Sequence, residues 1–347
     1  MRPVLLLAIG FGLVAGVTSA RAHHSFAPHF DATKPVTIDG TITEYERSNP
    51  HSYLHIAAPD ENGRTREYVC ESHGVTQLSR NGITPQMLKV GRKVRVTGSA
   101  SRHNAYMCFF DTVAFEDGKP LSVNGTRGAD RPATAAIAPR KDIFGTWLLA
   151  PIANRSTSGP QPMIQLMTPA GQKAVAGYDP FKDDPTFRCN PVGIRRAWGA
   201  PGTPLSLSRD GANIVLRHEW MDIKRAIHMN LKAHPASGRR ETLGHSIGRM
   251  EGDTLVVETA HFPAGVLNQY VEQAGQPTRG LLHSPALATV ERIRLDGARQ
   301  RLVVEVDMTD PEFFTQAFPR ATYEYAPSDL KLEPFNCSRI GLTGTIR

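Results

Sequence analysis

The residues most able to do chemistry stand near the start of the chain. His23 and His24 follow Ala20-Arg21-Ala22, a small-residue pattern of the kind that export processing cuts. A cut after Ala22 leaves His23 with a free α-amine. That amine and the His23 ring chelate one metal ion, and a second imidazole completes a T-shaped set of three nitrogens. His24, His29 or His51 can supply it, and the set suits Cu(II) with its tetragonal preference. A cut after Ala20 instead starts the chain Arg21-Ala22-His23. A histidine third from a free amine also chelates Cu(II), through the intervening amide nitrogens. His51, Tyr53 and His55 alternate along one strand and so share a face. The expected metal ligands are therefore His23, His24 and His51. The plain alternative is a solvated terminus.

A second group lies in the later half. Arg225, His228, His245, Glu258, His283 and Glu291 fall in or beside expected strands. In Thr254–His261, Val256 and Glu258 share one face and Leu255 and Val257 the other, so both faces carry apolar residues. Glu258 is expected to point inward and to meet Arg225, His228 or His245. A buried carboxylate beside a histidine is an acid–base pair. The competing account makes these residues hydrogen-bonded parts of a barrel core or rim. The chain has no phosphate-binding glycine loop, no zinc-protease H-E-x-x-H and no dinucleotide fingerprint. Gly244-His245-Ser246-Ile247-Gly248 has the spacing of a nucleophile elbow, but no helix is expected to follow it, so the match is a coincidence of small residues.

These side chains need elements to hold them. Arg2, an apolar run from Val4 to Val17 and the Ala20-Arg21-Ala22 end form a signal peptide over residues 1–22. The run is shorter than the roughly 20 apolar residues that span a bilayer, and no later segment is long enough. The expected location is the periplasm or outside the cell. The chain holds 40 Lys+Arg and 33 Asp+Glu; without Arg2 and Arg21 the balance is 38 to 33, a net +5. That mild, scattered charge excludes a nucleic-acid partner.

Residues 23–123 read as a small barrel. Strands are expected at Val36–Glu46, Ser52–Ala58 and Arg64–Cys70, a helix at Val75–Asn81, then strands at Lys93–Gly98 and Ala105–Phe115. Three strands, a helix and two strands is the order of a five-stranded OB-like barrel. Residues 124–142 are a linker, poor in anything large to bury.

Residues 143–347 read as a larger antiparallel β-barrel or sandwich, calycin-like in outline. A helix is capped by Thr168-Pro169, and Tyr178–Pro204 reads as a long ordered loop. Seven strands follow, at 214–221, 224–229, 245–250, 254–261, 288–295, 302–308 and 321–325. The fold class is thus mainly β. The four cysteines admit three pairings. One barrel each gives Cys70–Cys108 and Cys189–Cys337, and the second encloses over a hundred residues, a gain of about 4–5 kcal/mol from chain closure.

His23-His24-Ser25-Phe26, Asp31, Val36, Gly40, Asn49-Pro50-His51 and Gly91-x-x-Val94 resemble a family of secreted bacterial domains of unknown function, over residues 22–123. The resemblance implies export and a small β-barrel. Tyr178-Asp179-Pro180, Asp184-Pro185, Arg188-Cys189, Ile227-His228-Met229, Gly244–Gly248 and Glu251-Gly252-Asp253-Thr254 resemble a second uncharacterised secreted bacterial family, with Met250 where that family carries Trp. Gly145-x-Trp147 is similar to the opening of lipocalin-type barrels and implies a cavity for an apolar small molecule.

Two functions follow as expectations. One is an exported protein that binds a small apolar molecule and carries a Cu(II)-binding histidine arm. The other is a periplasmic enzyme using acid–base chemistry in the cavity of the second barrel.

Overall fold

The computed structural model describes residues 29–116, 118–123, 137–150, 165–200, 202–270 and 279–338. The expected signal peptide, His23, His24 and most of the linker lie outside these residues.

The first barrel runs β1 (Phe30–Glu46), β2 (His51–Pro59), β3 (Thr65–His73), helix α1 (Val75–Arg80), β4 (Lys93–Ser101), β5 (Met107–Phe115) and a short β6 (Leu121–Ser122). The sheet order is β3-β2-β1-β4-β5-β6, and β3 also pairs with β5 in parallel. That extra pairing closes strands 1-2-3-5-4 into the OB arrangement the strand order predicts. Strand β1 starts at Phe30, six residues before the expected Val36. The polar Thr33-Lys34 and Pro35 hide the extension, and the register against β4 slips between Asp31 and Pro35. Cys70 and Cys108 are direct partners in the β3–β5 pair and form a disulfide with Cα atoms 4.5 Å apart.

The second barrel follows: β7 (Gly145–Leu149), helix α2 (Pro169–Ala176), helix α3 (Ile194–Trp198), β8 (Pro204–Asp210), β9 (Asn213–His218), β10 (Ile223–His228), β11 (His245–Glu251), β12 (Thr254–Ala260), a separate hairpin of β13 (Gly265–Tyr270) and β14 (Arg279–His283), then β15 (Ala288–Asp296), β16 (Arg301–Thr309) and β17 (Ala321–Pro327). Nine strands close in the order β10-β11-β12-β15-β16-β17-β7-β8-β9. The seven expected strands are all present. Strands β7 and β8 are additional, each too short or too close to Pro and Gly to stand out as an alternating run. The stretch expected as a loop at 178–204 carries α3, whose Trp198 is fully buried.

An odd number of strands cannot alternate direction all the way round a closed ring. One neighbouring pair must be parallel, and here it is β10 with β11. A parallel pair cannot be joined by a tight turn and needs a long crossover. Residues 229–244 supply it. Gly244 ends the crossover at φ +64°, and a Cβ there would sit 2.6 Å from the Ala260 carbonyl oxygen. The barrel interior is filled by side chains such as Trp147, Leu216, Ile227, Leu255, Val304 and Tyr325.

The second disulfide, Cys189–Cys337, ties α3's approach to the segment after β17. That segment bridges the barrels. Asn49 Nδ2 donates to the Phe335 carbonyl at 2.6 Å, and the Ser338 amide donates to the Asn49 carbonyl at 2.7 Å. Arg80 of α1 pairs with the fully buried carboxylate of Glu219, which also accepts from the Glu333 amide at 2.9 Å.

Candidate functional site

Strand alternation decides which side of the barrel wall each polar group occupies. On β10, Ile223, Arg225 and Ile227 are buried inward, while Lys224, Ala226 and His228 face out. On β11, Ser246 and Gly248 face in, and a Cβ on Gly248 would meet Ile227 at 2.6 Å. His245 therefore faces out. On β12, Leu255 and Val257 belong to the interior core, which puts Glu258 outside. The side chains of the six later residues expected to converge thus point to both sides of the wall, although Arg225, His228 and His245 all border one cleft.

Inside, Arg225 and Glu291 form a buried ion pair. Arg225 Nη2 donates to Glu291 Oε1 at 2.8 Å, and Nη1 lies 2.8 Å from Oε2. The Trp198 indole N–H donates to the same Oε1, and the Tyr325 hydroxyl donates to the Trp198 carbonyl. His218 packs edge-on against Trp198, with ring centroids 5.3 Å apart. Burial, then the charge of Arg225, push His218 down to about 3. Ser246 shares a hydrogen bond with Thr259 at 2.9 Å inside the wall, with β12 and not a helix following its strand.

Outside, Glu258 pairs with Arg249 across β11 and β12, half-exposed. This corrects the expected inward carboxylate. Val256 is buried on the outer face of β12 as Leu255 and Val257 are on the inner one, so the sequence pattern alone did not fix the parity. Glu258 makes no contact with Arg225, His228 or His245 among the described residues. His283 stands apart from both groups. It ends β14, is buried against Phe262, and bonds the Ser284 carbonyl through Nδ1 at 3.0 Å. Burial holds it below the usual range.

His228 and His245 do come together. Their rings stack at 4.9 Å with 16° between planes. His228 Nδ1 lies 3.1 Å from Asn213 Oδ1. The crossover brings His234, whose Nδ1 lies 2.9 Å from His245 Nδ1, so one of the two nitrogens carries a proton and the other accepts it. His261, just past β12, completes the cluster, 5.7 Å from His234 and 6.4 Å from His245. Burial and then the neighbouring rings hold His245 below the usual range, and burial with His261 does the same for His234.

His228, His245 and His261 border a cleft of about 700 Å³ between the outer wall and the crossover, and His234 packs against two of them. Lys224, Arg239, Arg240, Glu241 and Leu243 also line it. Arg240 is fixed there by the carbonyls of Phe262 and Pro285, at 2.8 and 2.9 Å. Of the four clustered histidines, the sequence singled out His228 and His245 but not His234 or His261. Their only signal was a histidine at the end of one expected strand and another in a Pro-rich connection.

In the first barrel, His51 is tied to Glu71 through Nδ1. Burial opposes its charge, but Glu71 outweighs burial and raises it above the usual range. Tyr53 also bonds Glu71, and His55 Nε2 lies 2.8 Å from Glu46. The shared face of His51, Tyr53 and His55 is therefore a row of ring–carboxylate pairs. His29 lies within electrostatic reach of His51, Glu71 and His103. Among the described residues no group of three or more His, Cys, Asp or Glu is arranged to hold a metal ion. No helix among them is long and apolar enough to cross a membrane.

No curated protein matches the chain. Residues 11–108, which take in His23, His24 and His51 and end inside β5, match a family of unknown function, DUF6152.

Proposed function

We propose that this chain is an exported binding protein for a small molecule, held in the cleft between the outer wall at β10–β11 and the 229–244 crossover. The convergence of His228, His245 and His261 on a cleft of about 700 Å³, with His234 packed against the last two, carries this reading. Small-molecule sites are typically clefts of roughly this size with a few convergent polar groups. The two disulfides suit an oxidising compartment. Thermal-shift screening of small carboxylates, phosphates and neutral aromatics tests it. A compound that stabilises the wild type is expected to lose about tenfold in affinity, or about 1.4 kcal/mol, with His245→Ala. Hits that bind His245→Ala and His228→Ala as tightly as the wild type would place the site elsewhere.

A second reading is a Cu(II)-binding arm at the processed terminus. His51 favours it, because a metal-binding histidine commonly offers one ring nitrogen to a carboxylate, and Glu71 already takes Nδ1 and leaves Nε2. His29, five residues after His24 in the chain, lies within electrostatic reach of this pair. Spectroscopic titration is expected to show one tight nitrogen-ligated Cu(II) site when His23 carries a free amine. A tag before His23 should weaken it strongly, and His51→Ala or His24→Ala less. Equal binding by tagged and untagged protein would contradict it.

A further inference from the structure

We infer that the cleft takes a small organic oxyanion, its negative head on the histidine cluster and its apolar body against Pro235, Leu243 and Pro263, and that it binds with uptake of a proton. The inference rests on the cleft being a ligand site and names the ligand's class. Two features support it: the surplus of fixed positive charge around the cleft, and the crowding of four imidazoles.

Strand β10 contributes Lys224 and His228 outward; its Arg225 is satisfied inside by Glu291. The crossover contributes Arg239, Arg240 and Glu241 to the cleft and packs His234 against His245. Strand β11 contributes His245, and its Arg249 is paired with Glu258 of β12. Glu258 is also within electrostatic reach of His234. His261 follows β12, and the neighbouring β9 offers only the neutral Asn213 to His228. Among the described residues, Lys224, Arg239 and Arg240 thus stand in the cleft against one carboxylate not already paired with an arginine, Glu241. Arg240 is held by two carbonyls, which fix its direction without cancelling its charge.

The histidines add a conditional charge. His234, His245 and His261 lie within 6.4 Å of one another, ring to ring, and His228 stacks on His245. A ring that gains a proton repels the others, so without a ligand charge is disfavoured on His245 and His234. An oxyanion at the cluster reverses that preference. Because the bound form then holds more protons than the free form, affinity must rise as pH falls. The proline and leucine walls accept an apolar body, which a bare inorganic ion lacks.

The test uses three probes on the full processed protein at low ionic strength: benzoate, benzamide and sulfate. Benzamide keeps the ring of benzoate without its charge, and sulfate is charge without a body. Benzoate and sulfate stay ionised from pH 8 to pH 6. The readout is the imidazole NMR resonances of the cleft histidines. Benzoate is expected to shift them and to bind about fivefold tighter at pH 6 than at pH 8. Benzamide should bind about tenfold more weakly than benzoate at pH 6. Lys224 is solvent-exposed, so Lys224→Gln should fold normally, weaken benzoate about threefold and leave benzamide unchanged. Benzamide binding as well as benzoate at both pH values would overturn the oxyanion inference and leave the cleft reading standing. If neither benzoate nor sulfate moves these resonances, the inference falls, and if benzamide does not either, the cleft reading falls with it.

Discussion

Replacing Glu291 by Ala is expected to destabilise the second barrel by about 3–5 kcal/mol, because Arg225 would keep its charge in the interior with no carboxylate to meet it. Both partners are almost fully buried, at 5% and 0% exposure, and the Trp198 indole N–H would also lose its acceptor. Arg225 Nε already lacks a hydrogen-bond partner, so the guanidinium has little else to turn to. The double replacement Arg225→Leu with Glu291→Leu should be far milder than Glu291→Ala, since two apolar side chains carry no desolvation cost. Urea unfolding of the three variants measures this. A loss under about 1 kcal/mol for Glu291→Ala would mean that water reaches the pair and that the interior is not dry.

The second large effect is acid sensitivity through His218. Its folded value near 3 lies below the ordinary 6.5, so the folded state prefers the neutral ring. At pH above 6.5 both states hold it neutral and nothing is lost. As pH falls below 6.5 the unfolded chain takes up the proton and the folded chain does not. Stability should then fall by about 1.4 kcal/mol per pH unit until the folded ring titrates. Carboxylates titrate in the same window, so the readout is the difference between wild type and His218→Gln. The variant should lose less stability between pH 6.5 and pH 4.5, by about 2–3 kcal/mol. Parallel curves would show that His218 is solvated in the native state.

How much of this was legible in the sequence depends on whether local pattern or closure decided the feature. The OB-like order was readable because turns at Asp60–Gly63 and Gly91 separate alternating runs, and because Cys70 ends one strand while Cys108 lies in another. Their pairing follows from the parallel β3–β5 contact. The seven longer strands of the second barrel were readable for the same reason. Strands β7 and β8 were not, and with them went the odd count that forces β10 and β11 to run parallel. The crossover that walls the cleft is a consequence of ring closure, which no window of residues reports. Glu258 shows a related limit. Leu255-Val256-Val257 is apolar on both faces, so alternation could not tell inside from outside, and the inner carboxylate proved to be Glu291. Arg225 was recognised as a partner for a buried acid, and only the identity of that acid differed.

We propose that a small molecule binds in the cleft at β10–β11. A crystal structure of the processed protein with its tightest-binding screened compound tests that directly. Ligand density is expected between the crossover and the outer wall, within hydrogen-bonding reach of His228 or His245 and beside Arg240. Density inside the first barrel, or against the interior Arg225–Glu291 pair with the outer cleft empty, would contradict it.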